Sequence, residues 1–363
     1  MAYQIDFFSS SNASGNGDAI VFSWIDDNGV EKIGVYDGGY EKTAQEFCDH
    51  IKEYYNTETL DFVVCSHPDQ DHASGLKTVL ETFNVNALYV NFPWDYIDDV
   101  WDNLSDHRKT KTSLKREMKE KFPYLASLEE SIDGWKIHSA FQGDVIENKW
   151  TVLSPTKEHF ISKIISSEKM PLEEEVENDN EKNFIFEAVR KIRNWIKEQW
   201  DKDTLYDNPH VSAENEMSIV MLGELDKTIL LTGDAGVEGL EIACDYAKVL
   251  DKDLPSCVDI FQIPHHGGRH NLTHGIMNEM VGEIVEENEV KEANAIASTS
   301  KQNGDKEYPR RAVANAYRRR GVLVDSTNGE TIYWHHDYPD RDGWSPVKPL
   351  GFYEEVEPLG NEE

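Results

Sequence analysis

The chain has 363 residues, and its 69 acidic against 36 basic side chains give a formal net charge of −33. This charge argues against broad, sequence-independent binding to nucleic-acid backbones or anionic membranes, although a local basic cleft is compatible with it. Since 39% of the residues are hydrophobic and nine are tryptophan, we expect a folded globule, either one large α/β domain with insertions or two modest domains.

The sequence indicates neither a secretion signal nor a membrane segment. Residues 1–18 contain no basic region followed by an apolar stretch, and no run of about 18 apolar residues occurs. We therefore expect a cytoplasmic protein that does not contact membranes. The four cysteines, Cys48, Cys65, Cys244 and Cys257, form no CxxC pair, and we interpret them as reduced core thiols.

The first ninety residues alternate between strand and helix patterns. Strands are predicted over 3–8, 19–25, 32–39, 60–66 and 87–92. Helices are predicted over 41–55, where apolar residues recur at helical spacing, and over 75–83. This order is typical of layered α/β proteins.

Residues 94–132 interrupt that order with charged helical sequence. Its densest basic cluster consists of Arg108, Lys109, Lys111, Lys115 and Arg116. Mixed charges at helical spacing favour a solvated helical face. A positive wall over a substrate cleft is the alternative.

Strand sequence returns over 143–155, and a second insertion follows over 157–212. A helix is predicted near 157–167, and the acidic stretch 169–183 is interpreted as a flexible linker. The helix predicted over 184–200 carries an apolar stripe, which would pack on the domain as a lid or serve in self-association. The two insertions are therefore where we expect contacts with a second copy or a protein partner.

The last part of the chain returns to alternation. Strands are predicted over 214–224, 227–236, 258–263, 293–300 and 321–327, and helices over 237–250, 272–288 and 310–319. His335 and His336 lie beyond these elements and are interpreted as a surface strand end.

Metal-binding side chains follow three of the predicted strands. His67, Asp69, Asp71 and His72 leave the strand 60–66 within six residues. So many imidazoles and carboxylates at one strand tip would repel or desolvate each other unless a cation lay between them. Asp234 ends the strand 227–236, and the strand 258–263 leads to the pair His265 and His266 in a glycine turn.

This ordered set resembles the metallo-β-lactamase fold of binuclear metal hydrolases. Within that fold it is most similar to the subgroup typified by the hydrolase domain of the ComEC-type competence DNA-uptake channel, which reads HPDxDH where most members read HxHxDH. The matching segments are 17–19, 37–39, 67–72, 215–218, 233–234 and 265–267. The resemblance covers residues 3–92, 137–155 and 213–335, which leaves both insertions outside it.

The resemblance implies an α/β fold, a four-layer αββα sandwich formed by one domain over 1–363, with helical insertions at about 94–132 and 157–212. It also implies two divalent metal ions. His67 and Asp69 would belong to the first ion and Asp71 and His72 to the second, with Asp234 between them.

One histidine of the pair His265 and His266 would complete the second site. We favour His265 because it directly follows the apolar segment, and His266 would then support a ligand or contact the substrate. Asp18 and Asp37 are interpreted as residues that orient ligands or turns.

Two departures from the family pattern leave the metal identity open between zinc, manganese and magnesium. Asp69 stands where most members have histidine, and Asn215 stands where a histidine ligand is usual. Both changes favour a harder ion such as Mn²⁺ or Mg²⁺. His210 is near enough in sequence to supply a missing nitrogen. A further departure is Tyr308, where related sequences often have histidine.

The ligand set predicts hydrolysis without a protein nucleophile. Two divalent ions can share a hydroxide, because metal binding lowers the pKa of water toward ~7. Asp71 is expected to be essential for this chemistry. Arg269, His270, Lys301 and Tyr308 are candidates for charge stabilisation or proton transfer to the leaving group.

Three functions are compatible with these residues. The first is a metal-dependent phosphodiesterase or nuclease acting on nucleic acid or a nucleotide-like phosphodiester. The second is an acyl hydrolase for a lactone, thioester or amide, which fits the acidic chain better. The third is a non-catalytic partner protein that retains the fold, which the intact ligand set disfavours.

Overall fold

The computed structural model of the chain describes residues 1–12, 15–103, 110–170, 195–301 and 308–359. The strands within these ranges are β1 (Tyr3–Asn12), β2 (Gly15–Ile25), β3 (Glu31–Gly38), β4 (Thr59–Leu60), β5 (Phe62–Val64), β6 (Asn84–Val85), β7 (Leu88–Tyr89), β8 (Ile137–His138), β9 (Val145–Ile146), β10 (Trp150–Ser154), β11 (Ile196–Lys197), β12 (Val220–Glu224), β13 (Thr228–Leu231), β14 (Ile260–Gln262), β15 (Asn294–Ala297), β16 (Leu323–Ser326), β17 (Ile332–His336) and β18 (Glu355–Val356).

The α-helices are α1 (Glu41–Tyr55), α2 (Gln70–Ala73), α3 (Leu76–Thr82), α4 (Ile97–Asn103), α5 (Lys111–Lys121), α6 (Pro123–Ser131), α7 (Lys157–Ser166), α8 (Ala213–Glu216), α9 (Val237–Val249), α10 (Leu254–Cys257), α11 (His274–Met280) and α12 (Arg311–Arg319). Short 3₁₀ helices span Pro93–Tyr96, Gly134–Lys136, Pro264–Gly267 and Arg269–Asn271.

Two seven-stranded sheets form the centre of the molecule. The first has the order β17-β1-β2-β3-β5-β7-β8, and the second has the order β16-β15-β14-β13-β12-β10-β9. In each sheet an antiparallel part continues into a parallel part, which comprises β3-β5-β7-β8 in the first and β13-β14-β15-β16 in the second. The loops after the parallel strands of one sheet therefore emerge at one edge of that sheet.

Successive side chains along the central strands point into two different apolar clusters. Ile20 and Phe22 belong to the cluster between the sheets, whereas Val21 belongs to the cluster under the outer helices. The second sheet alternates in the same way. Trp150 contacts Phe22 across the interface, with ring centroids 4.3 Å apart. Because successive side chains on a strand point to opposite faces, each sheet is buried on both sides.

Helices cover the outer face of each sheet. The cluster outside the first sheet includes apolar residues of α1, α3, α5, α6 and α7. The cluster outside the second sheet includes residues of α9, α11 and α12. The α/β, four-layer αββα sandwich that we expected is thereby confirmed.

Most predicted elements occur, and several differ in extent or type. α1 has the predicted bounds, whereas the predicted strand 87–92 is reduced to β7. The predicted strand 214–224 begins as the helical turn α8, because Ser212 accepts a hydrogen bond from the amide of Asn215 and caps that turn. The helix predicted over 272–288 is shorter, as α11, and β17 was not predicted as a full strand.

The first insertion packs on the first sheet as helices α4, α5 and α6. Leu114, Met118 and Leu128 are buried in the cluster outside that sheet. Lys111 pairs with Asp98 at 2.6 Å, and Lys119 pairs with Glu129. These acidic partners favour the solvated helical face over the positive wall. Residues 104–109, which include Arg108 and Lys109, lie outside the described residues.

The second insertion differs from its prediction where it returns to the sandwich. Residues 171–194 lie outside the described residues, with most of the acidic stretch and of the predicted helix 184–200. Residues Ile196–Lys197 form β11, which pairs with β18, so the helix does not extend to residue 200. Glu198 and Asp203 then form buried ion pairs with Arg319 and Arg320 of the α12 region.

Two further expectations concern cysteines and membranes. Cys48, Cys65 and Cys244 are buried, and all four cysteines are free thiols. Among the helices of the described residues, none combines the length and the apolar sequence needed to cross a membrane.

Candidate metal centre

The motif residues meet where the edges of the two sheets face each other. In the first sheet β5 leads to the loop and the short helix α2 that carry residues 67–72. In the second sheet β13 leads to Asp234, and its parallel neighbour β14 leads to His265 and His266. Asp18 lies on β2, directly before Ala19, which pairs with Gly38 at the end of β3.

Four buried residues bring ligand atoms into one group. Asp18, His72, Asp234 and His266 each offer one atom, and these atoms all lie within 4.8 Å of one another. Nε2 of His72 is 3.0 Å from Oδ1 of Asp234, and Nδ1 of His266 is 3.6 Å from Oδ2 of Asp18. We call these four residues the inner group. Two imidazoles and two carboxylates at such distances are a ligand set that Zn²⁺ or Mn²⁺ can accept.

Buried polar atoms without hydrogen-bond partners indicate whether a cation would fit this site. Several buried side-chain atoms at this edge have no hydrogen-bond partner in the described structure: both carboxylate oxygens of Asp18, Oδ1 of Asp234, Nε2 of His67, Nε2 of His72 and Nδ1 of His266. Leaving buried polar atoms unsatisfied costs about 1–3 kcal/mol each. A cation among Asp18, His72, Asp234 and His266 would satisfy the atoms of these four residues together, so the residues present fit a metal ion.

A second set of side chains lies near Oδ2 of Asp234, the carboxylate oxygen that does not face His72. Oδ2 of Asp234 is 3.7 Å from Nε2 of His67 and 3.8 Å from Nε2 of His265. Nε2 of His67 is also 3.9 Å from Oδ2 of Asp69. We call His67, Asp69 and His265 the outer group, since the side chains of Asp69 and His265 are 31% and 32% exposed. Asp234 thus lies between the inner and outer groups.

Asp71 lies beside the inner group and is partly buried. Its Oδ2 is 3.1 Å from Nε2 of His266, which donates a hydrogen bond to it, and 3.9 Å from Nε2 of His72. Asp71 follows Gln70 at the start of α2, which places its carboxylate and the imidazole of His72 on the same short helical turn.

Hydrogen bonds behind the histidines fix their rings. Nδ1 of His72 donates to Oδ2 of Asp37 at 2.8 Å, and Asp37 also accepts from the amide and the hydroxyl of Ser66. The expectation that Asp37 orients a ligand agrees with this contact. Nδ1 of His265 is 2.8 Å from Oδ1 of Asn271, whose amide donates to the backbone oxygen of Asp234. Such contacts set the tautomer and orientation of a metal-ligating histidine.

The turn that carries both histidines has an unusual backbone. His265 and His266 have φ values of 50° and 55°, a region that non-glycine residues rarely adopt. Gly267 has φ 91°, and a Cβ atom there would lie 2.3 Å from Cβ of Pro309. Only glycine fits, and the left-handed turn sends the two imidazoles to different sides of Asp234.

The charges of the inner group depend on one another. Burial opposes protonation of His72, but the surrounding carboxylates, led by Asp234, raise the pKa of His72 well above its usual range. Burial likewise opposes protonation of His266, whereas Asp18 and Asp234 raise its pKa to about 9. Burial alone would raise the pKa of Asp71, but His72 and His266 lower it to about 2. Protonated histidines therefore supply the positive charge that a metal ion would otherwise supply.

The geometry differs from the sequence interpretation in two ligands. His266, not His265, belongs to the inner group with His72, and the ring of His265 faces the outer group. Asp18, which we interpreted as an orienting residue, offers a ligand atom itself. His210 is exposed and Asn215 is buried in α8, and the completion of the first site, with His67 and Asp69, by either residue stays a prediction.

The side chains predicted to assist the leaving group have different surroundings in the structure. Arg269 is buried, and its guanidinium donates to the backbone oxygens of Glu357 and Pro358, so it supports the C-terminal segment. These contacts do not favour the predicted role of Arg269 at the leaving group. The ring of His270 lies 4.8 Å from the ring of Tyr206. Lys301 is exposed and borders residues 302–307, which lie outside the described part of the chain, and its role stays a prediction. Tyr308 contacts the guanidinium of Arg310, 4.9 Å from its ring centroid.

Sequence reasoning missed one cation near the site. Nζ of Lys169 lies 2.8 Å from Oδ1 of Asp69. Lys169 is also on the wall of a cavity of about 620 Å³, together with Lys163, His210 and Glu214. The local sequence gave no signal for this contact, since Lys169 and Asp69 are 100 residues apart.

The chain is similar to known proteins in three-dimensional structure and not in sequence. No protein-family model matches the chain, and no curated protein matches it. Among solved structures, the metallo-β-lactamase SMB-1 bound to 2-mercaptoethanesulfonate is 10% identical, with a TM-score of 0.33 over 76% of this chain and 91% of that one. The same enzyme in a complex with mercaptoacetic acid gives 10% identity and a TM-score of 0.31 over 73% and 79%.

A β-lactamase domain protein from Burkholderia ambifaria is 11% identical, with a TM-score of 0.32 over 68% of this chain and 62% of that one. The strand order and the two-sided burial of both sheets define the fold. Fold and site together define an α/β sandwich protein whose metal-type ligands gather where its two sheets meet.

Proposed function

We propose that the protein is a metal-dependent hydrolase that holds two divalent ions and prefers phosphodiester substrates. The observation that carries this proposal is the group of four buried ligand atoms of Asp18, His72, Asp234 and His266 within 4.8 Å of one another, a group that a cation would satisfy. Divalent ions bound there would supply charge stabilisation for an attacked phosphoryl or carbonyl group.

The oxygen content of the site supports the phosphodiester preference. Asp18, Asp69, Asp71 and Asp234 all lie in or beside the two groups, so carboxylates are as numerous as histidines. Oxygen ligands suit Mn²⁺ and Mg²⁺, which are common ions of phosphoryl-transfer sites, and zinc stays compatible with the histidines. The HPDxDH motif adds the resemblance to the ComEC-like subgroup, and a nucleic acid or nucleotide-like phosphodiester is the substrate that this resemblance suggests.

The chain's own residues would hold and orient this chemistry. Asp37 and Asn271 fix the rings of His72 and His265, while His266 donates to Asp71. Tyr40 is half-buried, and burial together with Asp71 raises the pKa of its hydroxyl to about 12. It therefore keeps its proton at neutral pH and can donate a hydrogen bond.

Acyl hydrolysis is the second candidate, and the distribution of charge favours it. The net charge of −33 opposes the approach of a polyanion. Arg269 donates to backbone oxygens of the C-terminal segment, and Lys111 and Lys119 of the first insertion pair with acidic side chains. A lactone, thioester or amide needs fewer positive contacts.

A substrate panel run with several metals distinguishes the candidates. We would assay bis-aryl phosphate, single-stranded DNA, a thioester and a lactone with Mn²⁺, Zn²⁺ and Mg²⁺, beside metal analysis of the protein. We expect about two equivalents of metal and turnover of the phosphodiesters, fastest with Mn²⁺. Faster turnover of an acyl substrate would favour the second candidate. A metal content near zero after preparation with added Mn²⁺ or Zn²⁺ would overturn both.

A further inference from the structure

We propose that Lys169 makes the two halves of the metal centre unequal, so that the inner group binds the first ion tightly and the outer group binds a second ion weakly. Lys169 is a residue of the second insertion, outside the motifs. This inference rests on the proposed function only in requiring that the centre binds divalent ions.

Lys169 is held in place by its neighbours on the chain. Its amide donates to the hydroxyl of Ser167, which is buried and in turn donates to the carboxylate of Glu214. Met170 is 6% exposed and belongs to the cluster outside the first sheet. The ammonium also lies 5.7 Å from the ring centroid of Phe122, a residue of the first insertion. The backbone of Lys169 is thus anchored on both sides, and its side chain extends to the metal loop.

The ammonium of Lys169 pairs with a carboxylate oxygen of Asp69 that could otherwise bind a cation. Nζ of Lys169 is 2.8 Å from Oδ1 of Asp69, while Oδ2 of Asp69 faces Nε2 of His67 at 3.9 Å. A divalent ion held by Asp69 would lie within a few ångströms of this positive charge. Because the Lys169 side chain is 39% exposed, solvent reduces the repulsion without abolishing it.

Among the described residues, no lysine or arginine pairs with the carboxylates of the inner group. In the part of the chain that the structure describes, the ion pairs of Asp18 and Asp234 involve histidines alone. An imidazole nitrogen can itself bind a metal ion, whereas an ammonium has no lone pair to offer. An ion entering the inner group therefore meets histidine ligands, but an ion entering the outer group must displace or tolerate the ammonium of Lys169.

The test is a calorimetric titration of metal-free protein with Mn²⁺ at pH 7, repeated with Zn²⁺. For the wild-type protein we expect two binding steps with clearly different dissociation constants. Lys169→Met should tighten the second step about tenfold or more, since it removes a unit charge close to that ion. It should change the first step less than about threefold, because Lys169 pairs with Asp69, which is not a member of the inner group. Lys169→Arg keeps the charge and should behave like the wild-type protein.

Lys163→Met is the matched control. Lys163 lies on α7 and on the wall of the same cavity, but it pairs with Glu238 at 2.7 Å instead of with a residue of the metal centre. Its substitution should leave both steps unchanged. Circular dichroism and the affinity of the first step report whether each variant is folded, and Lys169→Gln serves as a second neutral variant.

The outcomes separate this inference from the proposed function. If the wild-type protein binds two ions with equal affinity, or if both neutral variants leave the second step as in the wild-type protein, the role of Lys169 is wrong while the metal centre stands. An equal effect of Lys163→Met also contradicts it. If neither metal binds to any variant, the proposed function fails, and the inference fails with it.

Discussion

Asp37 accepts a hydrogen bond from Nδ1 of His72 at 2.8 Å, and this contact turns Nε2 of the imidazole toward Asp18 and Asp234. Asp37 has φ 60°, a conformation that asparagine also tolerates. Asp37→Asn therefore removes the carboxylate charge with little backbone strain. We expect metal affinity at the first binding step to fall about 10–100-fold, as is usual when the partner of a ligating histidine is changed. Calorimetric titration measures this effect.

Asp6→Asn provides a control of the same kind for that experiment. Asp6 is another buried carboxylate paired with a histidine, His50, at 2.9 Å, and it is also bound by Arg341. Its substitution should lower the stability of the fold and leave metal affinity unchanged. Equal losses of metal affinity in the two variants would mean that Asp37 acts through general stability.

The two neighbouring histidines should differ in their effects on the first ion. His266→Gln removes a buried member of the inner group and should weaken the first binding step by at least about 100-fold. His265→Gln removes a member of the outer group and should weaken mainly the second step. Titration of both variants with Mn²⁺ checks this order. The reverse order would support the interpretation from the sequence, which favoured His265.

Asp71→Ala should abolish whichever hydrolytic activity the substrate panel detects. The carboxylate of Asp71 is ionised at neutral pH, because its pKa is lowered to about 2, and it accepts the hydrogen bond of His266. We expect a loss of at least about 10³-fold in kcat/KM for the metal-loaded protein. Asp245→Ala, at an exposed aspartate on α9, should keep wild-type activity. Wild-type rates in Asp71→Ala would show that the assayed activity came from a contaminant.

Asp203 should contribute stability that depends on pH. Burial alone would raise its pKa, but two hydrogen bonds from the guanidinium of Arg320 lower it below the usual value of 3.8. A carboxyl whose pKa is lower in the folded state stabilises the fold above the unfolded pKa, and this stability is lost as pH falls through the folded pKa. Asp203→Asn should therefore cost about 3–5 kcal/mol in the free energy of unfolding at pH 7, because it leaves Arg320 buried without its charge partner.

The difference between Asp203→Asn and the wild-type protein should become smaller as the pH falls below 3.8 toward the lowered pKa of the folded state. Urea unfolding at pH 7 and pH 3, followed by tryptophan fluorescence, gives the two free energies. A difference that is the same at pH 7 and pH 3 would contradict the ionic explanation.

Local patterns predicted the features that depend on residues close in sequence. α1 has the predicted bounds because its apolar residues recur at helical spacing. The strand before His67 was evident from its β-branched residues, and the alternation of elements indicated a layered α/β protein, while the αββα sandwich was implied by the family resemblance. The loop 67–72 was interpreted as a metal motif because so many imidazoles and carboxylates would repel one another without a cation.

The remaining site features depend on contacts between distant residues. Adjacency in sequence could not decide between His265 and His266, since the positive φ values of both residues determine where each ring points. Asp18 reaches the centre through the antiparallel pairing of β2 with β3. Lys169 was interpreted as part of an acidic stretch, and no local pattern relates it to Asp69. Arg269 suggested a cation at the site, yet its partners lie almost ninety residues later.

The contact of Arg269 joins the metal loop to a part of the chain that has no motif. Arg269 follows His266 by three residues, and its guanidinium donates to the backbone oxygens of Glu357 and Pro358. Directly before them Val356 pairs with Ile196, where the second insertion returns to the sandwich. The histidine turn, the C-terminal strand and the end of the insertion thus form one continuous mechanical support. A partner that pulled on the insertion would therefore act on the histidine turn through the pairing of Ile196 with Val356 and the guanidinium of Arg269, without entering the metal centre.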